Sequence, residues 1–434
     1  MKNIFNTAKA KYFNRSEFFK NVTKLSAGSI FAQAIPIAVT PVLTRLYTPD
    51  EFAQFAFIMA IVSAVVVIAT ARYELAIMLP KNDDDAINIV ALCFRILFFV
   101  TAFSLIGVFI YCYFFQEQLA TQKIPASFLF FIPFMVLLLG TYQICNNWAN
   151  RKKKYNQIIV SRISNTVATS SSNLALGFTG LTSIGLLLGT LFGQMTGAVM
   201  LFSQQFKSSK FLFPEIRREK IRALQKQYSH LPKVNMLQAI VDMLQINGVV
   251  YLLLFFFTSN IVGLYSLTIR LMQVPVSLVG SAITQVFFQQ ASSSYHENKN
   301  LQALVRRTIL QAALLAAPVL IVLVFFGPDL FAFVFGEKWR ESGEYARLLA
   351  PWIFCDFIRS PISQIPIIIN KQRTLFLFSI FGNLILVIAF YIGSKYFHDV
   401  RMAFLILSSL LSLLFMIIIF WIYRTTKNTS ASVL

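Results

Sequence analysis

Residues 402–423 read MAFLILSSLLSLLFMIIIFWIY, a stretch of 22 residues without a charged side chain. About 20 apolar residues in an α-helix cross the hydrocarbon core of a bilayer, so this stretch predicts a transmembrane helix. Eleven further stretches of similar length precede it, and together they predict an all-α membrane protein. The twelve predicted spans are residues 22–46, 52–79, 86–115, 124–148, 158–178, 181–206, 231–257, 261–291, 305–326, 345–369, 375–397 and 402–423.

The composition agrees with this prediction. Hydrophobic residues make up 57% of the chain, charged residues 13%, and the mean hydropathy is +0.66. A soluble domain of ordinary composition is less apolar and more highly charged.

The first twenty residues are polar and basic, and the apolar run that follows is too long for the core of a signal peptide. We therefore expect the first span to be an uncleaved signal anchor.

Basic residues are distributed unevenly along the chain, whose formal net charge is +20. Of the 38 Lys and Arg residues, about 24 fall in the tails and even-numbered loops and about 7 in the loops on the opposite side. The positive-inside rule then predicts that both termini are cytoplasmic. Cationic loops attract anionic lipids, whereas nucleic-acid binding would need a soluble domain to carry it.

A basic connector divides the chain into two sets of six spans. The predicted parts are a cytoplasmic tail (1–21), a first lobe (22–206), the connector (207–230), a second lobe (231–423) and a second cytoplasmic tail (424–434). The junction TRLYTP at 44–49, followed by FAQFA at 52–56, has a weak counterpart in TSN at 258–260, followed by VGLYS at 262–266. Units of six helices give a parallel repeat, in which substrate binds between the lobes.

Three segments resemble the recurring signatures of one protein family. They are PVLTRLYTP at 41–49, RYELAIMLPK at 72–81 and FGEKW at 335–339. The chain resembles, over nearly its whole length, the Wzx-type O-antigen and polysaccharide-export flippases. These belong to the multidrug/oligosaccharidyl-lipid/polysaccharide (MOP) exporter superfamily, which also holds the multidrug and toxic-compound extruders and the lipid II flippases. One departure is Ala53, where the family usually has glycine.

The resemblance implies a two-lobed transporter of twelve helices that works by alternating access. Its substrate would be an undecaprenyl-diphosphate-linked oligosaccharide, the repeat unit of an O-antigen, capsule or exopolysaccharide. The protein would move it from the cytoplasmic to the periplasmic leaflet of the bacterial inner membrane, as a monomer, without enzymatic activity or a cofactor. A polysaccharide polymerase and a chain-length regulator are the implied protein partners. Because unpaired polar groups are costly in hydrocarbon, the sugars and the diphosphate need a hydrated cleft.

Polar side chains at helical spacing are candidates for the walls of this cleft. In the span 231–257, one face carries a carboxylate, Asp242, among three amides. The next span has a similar face around Arg270. Such side chains also join neighbouring helices by hydrogen bonds, which is the ordinary explanation for any single one; a whole face that includes an ion favours a cleft. The predicted polar lining residues are Gln33, Asn235, Gln238, Gln245 and Gln273.

Arginines inside the predicted spans indicate an anionic substrate. A planar guanidinium stays charged and binds phosphate oxygens in pairs. We predict a cationic track with Arg45 at the periplasmic mouth, Arg270 and Arg359 at mid-depth, and Arg72 nearer the cytoplasm. Other cations lie near span ends, where long side chains reach water; these are Lys24, Arg95, Arg162 and Lys233.

Three carboxylates in the spans could neutralise these arginines or couple transport to an ion gradient. Asp356 lies one helical step from Arg359 and can pair with it. Glu74 could likewise pair with Arg72, although a spacing of two residues points the two side chains apart. Asp242 is the expected neighbour of Arg270. The predicted ion-coupling candidates are Asp242, Glu74 and Asp356.

Two other functions fit parts of the sequence. A drug extruder of the same superfamily would handle cations and should carry bare carboxylates in its cleft, whereas the balance here is basic. A polysaccharide polymerase or membrane acyltransferase would need a large periplasmic loop or an acid/base cluster. The longest outer loop, predicted at 327–344, is short, and its Trp339 is expected in an interfacial amphipathic segment.

Two further patterns are structural. The four cysteines are scattered and lack the spacing of a metal site. Glycines recur at every fourth residue from Gly185 to Gly197 and predict a surface for close packing between helices, the glycine seam.

Overall fold

The computed structural model describes residues 27–114, 125–209, 215–229, 231–280, a few positions from 283 to 291, 301–369 and 371–429. Within these residues all regular structure is helical. The helices are α1 (Ala27–Leu46), α2 (Pro49–Ile68), α3 (Asp83–Phe114), α4 (Phe131–Arg151), α5 (Tyr155–Phe178), α6 (Ser183–Ser209), α7 (Arg218–Gln227), α8 (Met236–Phe256), α9 (Ser259–Pro275), α10 (Leu301–Phe335), α11 (Arg340–Ile362), α12 (Ile365–Ile368), α13 (Gln372–Ile392) and α14 (Val400–Thr429).

Nine helical segments in the described residues are long and apolar enough to cross a membrane. They contain α1–α4, α6, α9, α10, α13 and α14. A tenth consists of Leu231–Gln245 and Asn247–Phe256, that is, the π-helical turn and α8, with a bend of 49° within α8. Helices α5 and α11 are long but more polar, and do not meet the same criteria. The all-α membrane fold is confirmed, whereas the count of twelve spans stays a prediction.

The predicted continuation of the second span to residue 79 is wrong. Helix α2 ends at Ile68, and the backbone turns through two left-handed residues, Ala71 (φ 48°) and Arg72 (φ 62°), into a 3₁₀-helix at Tyr73–Met78. Arg151 of α4 holds this turn, since its Nη1 donates to the carbonyls of Ile77 (3.0 Å) and Pro80 (2.8 Å). Arg72 and Glu74 therefore lie in a turn after the helix end, not inside a continuous helix.

The outer loop predicted at 327–344 is largely helical. Helix α10 continues through Pro328 to Phe335, and only Gly336–Trp339 separates it from α11. The helices approach closely here, because a Cβ on Gly343 would lie 2.4 Å from the carbonyl oxygen of Gly327. The placement of Trp339 at the membrane interface is wrong as well, since its side chain is fully buried in protein.

Two other predicted spans differ from the helices observed. The span predicted at 345–369 is broken, because α11 ends at Ile362 and the short α12 follows. The span predicted at 261–291 is continuous as far as Gly280, its last turn being π-helical, and the residues that follow are only partly described.

The described residues form two compact units. The first contains residues up to Val39, those of the segment from Val65 to Phe114, and those from Pro125 to Met236. Its α5 and α6 pack through the predicted glycine seam, as a Cβ on Gly193 would lie 1.8 Å from the Thr169 hydroxyl. The connector helix α7 buries Ile221 and Leu224, and the Asn88 side chain of α3 bonds to the backbone of residues 215 and 217. The basic connector thus packs on this unit.

The second unit contains Thr40–Ala64, which joins α1 to α2, and the described residues from Leu237 onwards. Its core is aromatic. Phe404 of α14 stacks on Tyr265 of α9 at 5.6 Å and also contacts the rings of Tyr345 in α11 and Phe390 in α13. Four helices thus share one packed centre. The predicted lobe limits, 22–206 and 231–423, stay a prediction.

Candidate functional site

Arg270 lies on an open polar face of α9. It is 11 residues after Ser259, the first residue of the helix, and therefore about 17 Å along the helix axis. Its side chain is exposed, and it makes no hydrogen bond or ion pair with any described residue. The expected ion pair with Asp242 does not form. Gln273, one turn further, is exposed too. A guanidinium in the middle of a spanning helix is thus left available to a ligand.

Arg359 lies at a different level from Arg270. Helices α9 and α11 run in the same direction, because the Ser342 hydroxyl donates to the Leu264 carbonyl (3.0 Å) and Gly280 lies beside Ser360. By this alignment Arg359 is roughly ten residues further along than Arg270, or about 15 Å. The two predicted track residues are therefore stepped along the helices and do not share one depth.

The predicted pair between Arg359 and Asp356 is present. The Arg359 Nε donates to Asp356 Oδ1 at 3.1 Å, and the guanidinium carbon lies 4.5 Å from the centre of the Phe415 ring. Both side chains keep about a quarter of their surface exposed, 27% for Arg359 and 25% for Asp356. Arg359 is thus neutralised and held in place but still reachable by solvent.

Glu74 is a buried carboxylate surrounded by hydrogen-bond donors. It is fully buried and accepts hydrogen bonds from the Thr70 hydroxyl, from Gln143 Nε2 (3.1 Å) and from Arg72 Nη1 (3.4 Å). The spacing of two predicted that Arg72 and Glu74 point apart, but the left-handed turn brings them together. Gln143 could have been found as an amide within an apolar span; nothing in the local sequence marks Thr70.

Arg45 ends α1 with an exposed side chain that forms no ion pair among the described residues. Its backbone is part of a contact between two of the signature segments. Lys338 Nζ donates to the carbonyl of Tyr47 (2.7 Å), and the Trp339 indole donates to that of Thr44. The 41–49 and 335–339 segments therefore join the α1–α2 turn to the α10–α11 link, which is a structural role that their sequences alone did not reveal.

The predicted polar lining residues fall in different settings. Gln238 is exposed, whereas Gln33 and Asn235 are half-buried. Gln245 packs against α13, because a Cβ on Gly382 would lie 2.9 Å from its Nε2. Asn235 belongs to a π-helical turn, which shifts its direction relative to the later residues of α8. The amides thus differ in exposure and in local backbone geometry.

Comparisons with known proteins bear on the family and the fold. A family model described as "Polysaccharide biosynthesis protein" matches residues 42–344. No curated protein sequence matches significantly. The structure is similar to an inward-facing multidrug resistance MATE transporter of the MOP superfamily, with a TM-score of 0.71, 12% identity, and coverage of 92% of this chain and 96% of the other. It is equally similar to the lipid II flippase MurJ in an inward closed conformation, with a TM-score of 0.71, 13% identity, and coverage of 93% and 87%. The chain therefore has a MOP-type fold.

Proposed function

Because the chain belongs to the polysaccharide biosynthesis protein family, we propose that it is a flippase for an undecaprenyl-diphosphate-linked oligosaccharide. The cargo is the repeat unit of an O-antigen, capsule or exopolysaccharide, and it moves from the cytoplasmic to the periplasmic leaflet of the bacterial inner membrane by alternating access. The observation that carries the proposal is Arg270, a guanidinium in a spanning helix that is exposed and has no ion pair among the described residues.

The physical argument starts from the cost of a charge in hydrocarbon. An arginine at the middle of a spanning helix is unfavourable unless it faces water, a counter-ion or a polar ligand. Because it forms no ion pair with any residue that the structure describes, Arg270 is suited to an anionic group that arrives with the substrate. A diphosphate fits because its oxygens accept the two parallel N–H bonds of a guanidinium fork. Membership in a polysaccharide family then makes a lipid-linked glycan the natural source of this diphosphate.

The other predicted cations take secondary roles in the proposal. Arg359 can turn from Asp356 to a phosphate because the pair is partly exposed. Arg45 is exposed at the end of α1 and can attract the headgroup near the membrane surface. Arg72 is engaged with the buried Glu74, and we assign it mainly to positioning that turn. The predicted track thus depends chiefly on Arg270, with Arg359 as its second contact.

The proposal is tested by replacing Arg270 with Glu and with Lys in a strain that lacks the native gene. Charge reversal should abolish surface polymer and accumulate lipid-linked repeat units, whereas Lys should lower export about tenfold because bidentate binding is lost. Arg95→Lys is the matched control, since Arg95 is also exposed on a spanning helix but lies over the Phe99 ring. Normal export by Arg270→Glu, at wild-type protein levels, would exclude Arg270 from substrate binding.

Asp242 is the proposed coupling residue. It is a half-buried carboxylate of α8, which belongs to a candidate spanning segment, and carboxylates within spanning helices can take up and release protons during transport. If Asp242 couples flipping to a proton gradient, a protonophore should slow flipping by wild-type protein in proteoliposomes and have no effect on Asp242→Asn. Equal protonophore sensitivity in both proteins would rule this out.

A drug-extruding cation antiporter of the same superfamily is the alternative function. It would need a site suited to a cationic drug, whereas the exposed charge on α9 is itself a cation, Arg270, and this disfavours the alternative. Export of ethidium by reconstituted protein, without transfer of a lipid-linked glycan, would favour the alternative. A polymerase or acyltransferase is less favoured, because such an enzyme would need a large outer loop and only four residues link α10 to α11.

The proposal also includes action as a monomer, with a polysaccharide polymerase and a chain-length regulator as protein partners.

A further inference from the structure

We propose that a second site, at the first turns of α10, binds the phosphate headgroup of an anionic membrane phospholipid. A cavity of about 490 Å³ opens there. Its polar lining consists of Gln302, Arg306, Arg307 and Gln311 of α10 and Tyr423 of α14. The site is separate from Arg270 and does not depend on the proposed transport function.

Among the described residues, no acidic side chain lines this cavity to balance its positive charge. Arg306 and Arg307 are exposed, and neither forms a hydrogen bond or ion pair with any described residue. Each polar side chain that the structure describes in the lining is a cation, an amide or a phenol. Such a set can donate several hydrogen bonds to one phosphate, and two guanidinium groups can share its oxygens. The charge complements an anion and disfavours a cation.

Apolar surface continues directly from the arginines along the same face of α10. Leu310 and Leu314 line the far side of the cavity, one and two turns beyond Arg306, and are 53% and 75% exposed. Only 11% of the most apolar window of this helix is buried in protein, so its outer surface is available to lipid. The phosphate headgroup of a bound lipid would therefore contact the arginines, and its acyl chains would lie along the leucines.

This order of groups argues for a membrane lipid over other phosphates. A soluble phosphate has no apolar group to contact the exposed Leu310 and Leu314. Basic pockets between helices near the membrane surface are suited to anionic lipid headgroups, because cations there gain from the negative surface potential while the chains remain in the bilayer. The diphosphate headgroup of the transport substrate is the competing ligand, and the experiment separates the two.

The test uses the full-length protein purified in a neutral detergent, titrated with phosphatidylglycerol, cardiolipin or phosphatidylcholine and read by native mass spectrometry. Wild type should retain the two anionic lipids and not phosphatidylcholine. Arg306→Gln/Arg307→Gln should weaken retention of the anionic lipids about 30-fold, and Arg306→Lys/Arg307→Lys should restore most of it. The matched control is Lys371→Gln/Arg373→Gln, two exposed cations that do not line the cavity, and it should bind nearly as wild type does.

Three results would overturn the proposal. The first is equal retention of phosphatidylcholine and phosphatidylglycerol by wild type, which needs no variant and so is independent of any folding defect. The second is unchanged binding by the double Gln variant. The third is displacement of phosphatidylglycerol by a polyprenyl diphosphate at much lower concentration, which would assign the cavity to the substrate. The flippase proposal is unaffected by the first two, because Arg270 lies elsewhere.

Discussion

The indole nitrogen of Trp339 donates a 2.9 Å hydrogen bond to the backbone carbonyl of Thr44, 295 residues earlier in the chain. Carbonyl groups in the last turn of a helix lack partners within the helix, and Trp339 satisfies one of them at the end of α1. Its ring also packs edge-on against Phe52 at 5.2 Å. The α1–α2 turn is thereby fixed to the α10–α11 link.

Loss of Trp339 should destabilise the protein strongly. Trp339→Ala removes a fully buried indole and should lower the free energy of unfolding by about 3–5 kcal/mol. Trp339→Phe keeps much of the packing but loses the hydrogen bond, so its cost should be smaller. Thermal unfolding in nanodiscs measures both. Phe333→Ala is the control, since that ring is 85% exposed; if it were as destabilising as Trp339→Ala, the specific packing would not be the cause.

Gly263 should not tolerate a side chain. A Cβ there would lie 1.7 Å from the Pro49 carbonyl oxygen, so Gly263→Ala must separate α9 from the start of α2, and we expect a loss of about 1–3 kcal/mol. Gly107 in α3 has no atom within 4 Å of its Cβ position, and Gly107→Ala should be neutral or stabilising. The melting temperature of Gly263→Ala should therefore fall, whereas that of Gly107→Ala should stay the same or rise.

Arg151 should be needed to hold the turn after α2. It donates to the carbonyls of Ile77 and Pro80, and its Nε pairs with Asp83 at 3.0 Å. Lysine cannot make all of these contacts at once, so both Arg151→Lys and Arg151→Gln should expose residues 69–80 to protease. Lys153→Gln, at an exposed neighbouring position, should be cleaved at the wild-type rate. Wild-type protection in Arg151→Gln would contradict the assigned role.

Tyr47 should make stability depend on alkaline pH. Burial, and secondarily the charge of Glu51, raises the pKa of this phenol from 10 to about 12. The folded state therefore favours the neutral phenol, and the resulting stabilisation is complete below pH 10 and is lost as the pH rises from 10 through about 12. Tyr47→Phe should flatten the fall in melting temperature over this range. The exposed Tyr113→Phe should not.

The helix boundaries illustrate what could be predicted locally. The spans could be recognised because runs of apolar residues are a local property, and the glycine seam of α6 could be recognised from its spacing. The end of α2 could not, because Leu75–Leu79 are apolar enough to continue a helix. Arg151, more than seventy residues away, stabilises a different backbone path. The prediction of a loop at 327–344 was also wrong. Gly327 and Pro328 are typical of a helix end, but here they lie within α10.

The candidate site divides in the same way. Spacing alone predicted the pair of Asp356 with Arg359, because residues three apart in a helix are neighbours. Spacing could not predict that Glu74 would meet Arg72, since this depends on left-handed backbone at Ala71 and Arg72. Nor could it predict that Arg270 and Asp242 form no ion pair, since the two belong to different helices.

The amino-acid sequence by itself determined that the chain is an all-helical membrane protein. In hydrocarbon each backbone N–H and C=O must be hydrogen-bonded within the protein, and an apolar run of about 20 residues can achieve this by itself only as a helix. Tertiary structure alone decided that Glu74 accepts a hydrogen bond from Gln143, where α2 ends and that Trp339 is buried. Each of these depends on a partner from a distant part of the chain, and no local pattern specifies which partner will be near.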